Sequence, residues 1–329
     1  MEDCRVITVL TGGTGGAKFV EGLSHVLSPE ELTVIVNTAD DLEWWGLYVS
    51  PDLDSITYAL AGLLSRERGW GVQGDTFHCL QTMGQFNQPT WFNIGDRDLA
   101  LHLVRSRMIS HGKTLSEATA EIGASLGVKA RVLPMSNSRV ETRVMTSIGE
   151  LTFQEYFVKR WFQDPVTAVR FAGVSDAEAA PGVISSILSA DFVVIAPSNP
   201  ITSIGPILAV PGIMAALQQT RAAIAAVSPI VGGAAVSGPA GILMQAQGLP
   251  CSVIGVAQAY SDFLDWMIID NTDEHHQADL RSAGMKVHSA NTIMRTASDR
   301  VTLAVDVLKA ISYPAGIPQL STNQLRTEN

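Results

Sequence analysis

The 329-residue sequence predicts an α/β protein: a doubly wound, mainly parallel sheet with an antiparallel hairpin and a helical insertion in its middle. Three observations predict it. Short β-branched runs recur along the chain, at 6–10, 33–36, 192–195, 222–227 and 252–256. They are almost continuously apolar, as strands covered on both faces must be. Helical patterns follow most of them, at 17–27, 54–65, 97–111, 115–126, 181–188 and 292–311.

The stretch 131–161 departs from this rhythm. VETRVMTSIGELTFQEYFV alternates around Gly149-Glu150 like an antiparallel hairpin, and reads as an insertion or sheet extension. With no internal repeat and no Pro/Ser-rich linker, residues 1–329 read as one domain carrying that insertion. The closing STNQLRTEN is polar and predicted to fray.

Composition narrows the functional classes. A hydrophobic share of 46% supplies a large core, and a formal charge of -10 repels nucleic acid and anionic membranes. Residues 222–261 hold no charged side chain, yet Ser228-Pro229, Gly232-Gly233 and Gly238-Pro239 break them far short of the roughly 20 apolar residues of a membrane span. Cys4, Cys79 and Cys251 lack metal or redox spacing and read as buried thiols of a reducing compartment. Acids at the start of MEDCRVITVLTGG argue against a secretory signal, so a cytoplasmic location is expected.

Four loops carry candidate chemistry. The first strand runs into Thr11-Gly12-Gly13-Thr14-Gly15-Gly16-Ala17-Lys18, where glycines permit a tight turn and helix amides face an anion. The spacing matches neither the P-loop nor G-x-G-x-x-G. Asn37-Thr38-Ala39-Asp40-Asp41 follows the second strand, at the distance where a dinucleotide fold places its ribose-binding acid, so a nicotinamide-dependent dehydrogenase is one reading. With Pro51-Asp52-Leu53-Asp54 close behind, Asp40, Asp41 and Asp54 could instead converge with phosphates into an oxygen-rich Mg²⁺ site, or Asp54 could simply cap a helix.

In Asn93-Ile94-Gly95-Asp96-Arg97-Asp98, Arg97 suits a bidentate clamp on phosphate or carboxylate, with Asp96 capping or orienting. Ser198 and Asn199 of Ala196-Pro197-Ser198-Asn199-Pro200 end an apolar strand, where open sheets bind ligands, and could read a base or ribose. His78, His102, His111, His275 and His276 show no metal spacing. Trp44, Trp45, Trp91 and Trp161 read as packing residues, the first two placed to border a flat substrate.

Taken in order, TGGTGGAK, NTADD, SPDLDSITYALAG, RGWG, NIGDRDLALHLVR, PMSN, IAPSNPITSIGPIL and SPIVGG resemble the 2-phospho-L-lactate transferase (CofD) family of coenzyme F-420 biosynthesis, over about residues 6–255. The resemblance implies a Rossmann-like homodimer. It also implies a phosphotransferase that uses Mg²⁺ to move a phosphorylated acid (lactate, enolpyruvate or glycerate type) from its guanosine diphosphate conjugate to the ribityl hydroxyl of the deazaflavin Fo, releasing GMP. On this sequence it assigns the donor phosphates to Gly12, Gly13, Thr14, Gly15 and Gly16, with Lys18 and Asn37 among the substrate contacts. Asp40, Asp41 and Asp54 become metal or Fo-hydroxyl contacts, and Asp54 the proton acceptor. Asp96, Arg97 and Asp98 line the site, with Arg97 beside Asp41 and Asp54 in the catalytic set, and Ser198 and Asn199 face the guanosine. The chain departs from the family where a basic residue commonly follows SPIVGG: it reads Ala234-Ala235-Val236-Ser237, then Gly238-Pro239-Ala240-Gly241-Ile242. A related branch of this fold implies a third reading, a non-enzymatic regulator that binds nucleotide-sugars.

Overall fold

A computed structural model describes residues 5–313. Seven strands form one sheet: β1 (Ile7–Thr11), β2 (Leu32–Val36), β3 (Arg131–Pro134), β4 (Phe192–Ile195), β5 (Ala223–Val227), β6 (Trp266–Asp270) and β7 (Lys286–Ala290). They lie in the order β7-β6-β5-β4-β1-β2-β3, and every pairing is parallel. The chain winds outward from β1 through β2 to β3, then returns to the other side of β1 at β4. A crevice therefore opens between the carboxyl ends of β1 and β4, the reversal point at which such sheets bind ligands.

Alternation along the strands divides the core into two layers. Ile7 and Val9 of β1 face one layer with Val34, Val36 and Val194; Leu10 faces the other with Ile35, Val193 and Ile195. Each such side chain, fully buried, contributes about 1.5–3 kcal/mol. Helix α1 (Gly13–Ser24) covers the first layer through Gly16, Phe19, Val20 and Leu23, one stripe at helical spacing. Helices α2 (Pro51–Leu60) and α3 (Asp96–Ser110) follow β2 and carry acids in their first turns.

The structure corrects several boundaries. Residues 252–256 are not a strand but the start of the helix Val253–Ala259, whose cap is Ser252: its Oγ accepts from the Gly255 amide at 3.4 Å. Val253, Val256 and Ala257 are buried at helical spacing, which overrides β-branched propensity. The sheet is completed by β6 and β7, two strands the apolar runs did not reveal; β7 is an edge strand with polar side chains. Residues 131–134 leave the insertion and pair with β2 as the opposite edge, where Pro134 costs no interior ladder bond.

The expected hairpin forms, with Thr146 opposite Gly149, and belongs to a three-stranded antiparallel sheet of Glu141–Thr146, Gly149–Thr152 and Val166–Ala172. Cys79 and Cys251 are half-buried free thiols, less enclosed than expected, while Cys4 and the closing STNQLRTEN lie outside the described residues. Among the described residues no single helix is long and apolar enough to cross a membrane.

Gly16 sits where α1 meets β1, and a Cβ there would come within 2.8 Å of Ser198 Oγ and closer still to Thr11 Oγ1. Gly16→Ala is expected to lower stability by about 1–3 kcal/mol, the usual cost of overpacking, read as a shifted urea midpoint. An unchanged midpoint would mean the helix is free to move off the sheet.

Candidate active site

Neighbouring strand ends press on the glycine turn and explain its composition. Gly13 has φ +69°, the left-handed region that favours glycine. A Cβ on Gly12 would lie 2.6 Å from Asp52 Oδ2 and 2.9 Å from Ser203 Cβ, and one on Gly15 would lie 2.5 Å from the Pro197 carbonyl oxygen. Ser198 fastens the two loops together, its Oγ donating to Gly12 O at 2.7 Å and accepting from Gly12 N at 3.2 Å. The cap residue Gly12 brings no side chain to the first-turn amides of α1. Asp52 approaches them instead and accepts from the Gly13 amide, a carboxylate at a helix N-terminus.

Asn37 follows β2 and organises the acids beside the turn. Its Nδ2 donates to Asp40 Oδ2 and Asp52 Oδ2, each at 3.0 Å, and to Thr202 O at 3.2 Å, while its Oδ1 accepts from the Ala39 amide at 2.9 Å. Asp40 Oδ1 is buried without a partner. Burial pushes the Asp40 carboxyl well above the usual carboxylate range, and the charge of Asp52 adds to the push. Burial likewise raises Asp52 to about 6, despite the hydrogen bonds from Asn37 and Gly13, with Asp54 contributing repulsion. Asp41 is also held well above its ordinary value by burial, although Ser50 Oγ donates to its Oδ1 at 2.6 Å and the Tyr48 hydroxyl to its Oδ2 at 2.8 Å.

A second layer lies behind these acids. Arg105 of α3, almost fully buried, grips Asp54 with both terminal nitrogens: Nη1 donates to Oδ2 at 3.1 Å and Nη2 to Oδ1 at shorter range. Burial works against the Arg105 charge, but Asp54 and Asp41 more than offset it and raise its pKa. His102 is wedged between Asp54 Oδ2 (3.6 Å from Nδ1) and Asp98 Oδ1 (3.4 Å from Nε2), and the Tyr58 hydroxyl donates to Asp98 Oδ1 at 2.7 Å. Burial opposes ionisation of Asp98, but the adjoining His102 imidazole and the hydrogen bond from Tyr58 win and lower its pKa. Single ligand atoms of Asp54, Asp98 and His102 lie within 4.8 Å of one another, close enough to meet one metal ion, although Arg105 already supplies Asp54 with a positive partner.

The other expected residues take different places. Lys18 feels the charges of Arg300 and Glu21, an ion pair tying α1 to the helix Ala297–Ala310, and is half-buried there. Asn199 caps the next helical turn, its Oδ1 accepting from Ile201 N at 2.9 Å. Asp96 and Arg97 open α3 at a junction of two helices. Asp96 accepts from the amides of His78 and Cys79 at 3.1 and 2.9 Å, capping the helix His78–Gln85, while Asp75 accepts from the amides of Arg97 and Asp98 at 2.9 and 3.1 Å, capping α3 in return. The Arg97 side chain is exposed. Trp44 is buried in an aromatic cluster with Trp45, Trp91 and Phe92, the packing role expected of it.

Asp52, Tyr48, Tyr58, His102 and Arg105 were not singled out as site residues by the sequence reading. A signal existed for the last two: Asp98, His102 and Arg105 fall at i, i+4 and i+7, one face of α3, opposite the acids that open α2.

Two outcomes follow from this electrostatic layering. Arg105→Met leaves the Asp54 carboxylate buried without its counter-charge and is expected to cost about 3–5 kcal/mol in urea unfolding, most of it regained in the Asp54→Leu/Arg105→Met double variant. Because Asp52 holds its proton in the folded state up to about pH 6, against 3.8 as the ordinary value, the folded form is favoured below that interval and loses stability as pH rises through it, by about 3 kcal/mol. Asp52→Asn should remove its share of this slope in unfolding free energy between pH 4 and pH 6 and leave that of Asp40 and Asp41; an equally steep slope in the variant would locate the titration elsewhere.

Comparison with known proteins agrees with this architecture. A family model described as 2-phospho-L-lactate transferase CofD matches residues 7–308. The 2-phospho-L-lactate transferase of Methanosarcina mazei is 39% identical over 302 residues, covering 92% of this chain and 99% of the relative. Those of Methanosarcina acetivorans and Methanothermobacter thermautotrophicus are 42% and 41% identical, covering 90% and 91% of this chain and 96% of each relative. A solved structure of a UPF0052-family protein from Bacillus halodurans is similar in fold, with a TM-score of 0.58 at 19% identity, over 87% of this chain and 92% of that one. With the family model spanning nearly all of the described residues and relatives near two-fifths identity, the chain belongs to the 2-phospho-L-lactate transferase CofD family.

Proposed function

We propose that the protein transfers a phospholactyl group from its guanosine diphosphate conjugate to a hydroxyl of the deazaflavin Fo, releasing GMP, as a cytoplasmic homodimer. The observation that carries this reading is the meeting of the glycine turn with Asp52, Asp40 and Asn37 at the reversal point of the sheet. A helix N-terminus there receives phosphate oxygens, and the acids beside it suit a hydroxyl acceptor more than a second anion. In the reaction the acceptor oxygen bonds to the phosphorus that carries the acid, the bond from that phosphorus to the GMP phosphate breaks, and the hydroxyl proton passes to a carboxylate. Most of the rate then comes from alignment and from neutralising the phosphate oxygens.

Asp54 was expected to take that proton, but Asp41, the other acid of the expected catalytic set, fits better. Asp54 is committed to Arg105 on both oxygens, whereas Asp41 is held only by two hydroxyl donors and has the raised proton affinity that a general base needs. Asp54 becomes a positioning residue for α2. Arg97, exposed at the start of α3, would reach the donor from outside, and Asn199 would meet its base through the amide that its capping role leaves over.

The family also implies Mg²⁺, and the residues fit it. Asp40 keeps a buried oxygen without a hydrogen-bond partner among the described residues, and two carboxylates share one amide, a donor set that favours a hard divalent ion. Asp40, with Asp52 in place of the expected Asp54, would hold it, and Asp41, the third acid expected there, stays free for the proton. When bound, such an ion supplies positive charge to the phosphate oxygens. With Ala234 and Ala235 in a small hairpin after β5, no side-chain charge from that segment meets the donor, and the choice among lactate, enolpyruvate and glycerate falls to other groups.

Thermal shifts with GDP, Fo, NAD and a UDP-sugar, each with and without Mg²⁺, separate the classes. Stabilisation by GDP and by Fo, strengthened by Mg²⁺, is expected; stabilisation by NAD alone would point to a dehydrogenase, and by the UDP-sugar alone to a regulator. Asp41→Asn is expected to lower kcat by roughly 10²–10⁴ while Fo and GDP still bind. Undiminished turnover would remove Asp41 from proton transfer.

A further inference from the structure

Resting on the homodimeric reading above, we propose that two copies of this chain meet through residues 76–93. Not one residue from Gln73 to Asn93 is buried, yet the stretch has regular structure, including the helix His78–Gln85. A helix of that length is marginal in water by itself, because helical stability in proteins comes mostly from packing one face. Its surroundings hold only the ends. Asp96 takes the first amides; beyond the helix, Trp45 Nε1 donates to the Pro89 carbonyl at 3.0 Å and Trp91 packs edge-on against Trp44. Between those ties the helix has no covered face.

The uncovered part is also rigid. After the helix, the Asn87 amide donates to Gly84 O and the Gln88 amide to Met83 O, both at 3.0 Å, with Asn87 in the left-handed region at φ +56°. Phe86, 69% exposed, is therefore presented on a fixed corner and loses little freedom when covered.

Charge decides what covers it. Charged side chains make up 16% of the chain, yet residues 76–93 contain no Asp, Glu, Lys or Arg. Met83 and Phe86 stand there among Gln, Thr and Asn, in keeping with interface cores, which are poor in charge and rich in aromatics and Met. A nucleic acid, an anionic membrane or a charged protein face calls for opposite charges, and this stretch offers none. A second copy asks for the reverse. The chain carries a formal charge of -10, so two copies repel at long range, and a twofold axis sets the residues near it opposite their own images. A charged patch at such an axis faces its own sign; a neutral, apolar one does not. Extent agrees as well, since stable interfaces use about 20–30 residues a side.

The contact reaches the site. Trp44 and Trp45, which hold Trp91 and Pro89, follow Asp41 closely in the chain, so covering this stretch braces the segment next to the proposed base.

Sedimentation velocity on the full chain, over a dilution series, tests the contact. Wild type is expected at twice 35.1 kDa. Phe86→Glu is expected to raise the dimer dissociation constant by about 30-fold or more, the scale of a hot-spot residue, with the far-UV circular dichroism of wild type. Gln85→Glu, at a second exposed position of the helix, is expected to act in the same direction, and Ile148→Glu, on the exposed turn of the antiparallel hairpin, to leave the dimer intact. Hydrogen exchange on wild type needs no substitution: amides 78–88 are expected to exchange more slowly in the dimer than at the dilution where it becomes monomeric. Dimers of wild-type strength in both folded variants, or exchange at 78–88 indifferent to dissociation, would overturn the contact and leave the homodimer standing. Dissociation by Ile148→Glu alone would move the contact to the hairpin and overturn it too. A wild type that is monomeric at every concentration removes the contact and the homodimer together.

Discussion

The Asn37 side-chain amide carries two hydrogens and stands among three acceptors: one oxygen each from Asp40 and Asp52, and the Thr202 carbonyl. Two carboxylates this close and this buried repel each other, and a neutral donor lessens the repulsion without cancelling it. Burial first, then the charge of Asp52 on Asp40 and of Asp54 on Asp52, holds protons on both acids above their ordinary range and concentrates acceptor capacity at one point. Because Asn37 also reaches Thr202, in the helical turn after β4, the same amide ties the loop after β2 to the far wall of the crevice. The glycine turn closes against this arrangement through Asp52 and Ser198, so its shape depends on groups from three other loops.

Behind it, the site is graded by charge compensation. Nearest the turn, the acids have only amides and hydroxyls; one layer deeper, Asp54 has Arg105, and Asp98 has Tyr58 and the imidazole of His102. The deep layer is the one a protein can bury at rest, because each anion has a strong partner. The shallow layer is left wanting cations or protons, which is the property on which the proposed binding of phosphate and Mg²⁺ rests. In that proposal, stability and chemistry fall to different members of one acidic group.

The sequence disclosed the shallow layer better than the deep one. TGGTGGAK announces a tight turn because sterics leave few alternatives to glycine, and the packing of Pro197 and Ser203 against it bears that out. Asp40 and Asp41 are conspicuous because paired acids after an apolar strand are uncommon in plain turns. Arg105 is hidden in LALHLVR, where nothing local separates a buried arginine from a surface one; only the partner Asp54, 51 residues away, distinguishes it. Lys18 is legible in the opposite sense. It adjoins the turn in sequence, yet a helix carries successive side chains around its axis, and this one is half-buried within reach of the charges of Arg300 and Glu21. The strands tell the same story: interior runs such as that of β4 show continuous burial, whereas β7, at an edge, alternates with Lys286 and His288 and loses the signature.

The crossed aspartates at the start of α3 have an evolutionary consequence. Asp75 holds the first amides of α3 and Asp96 those of the helix His78–Gln85, so each segment is fastened by a residue belonging to the other. Neither fastening is local, and the two are independent: Asp75 caps α3 whether or not Asp96 is present. Exchange of either acid in a related lineage should therefore loosen one helix start while the other stays anchored, so the stretch between them keeps one tie to the helix that bears His102 and Arg105.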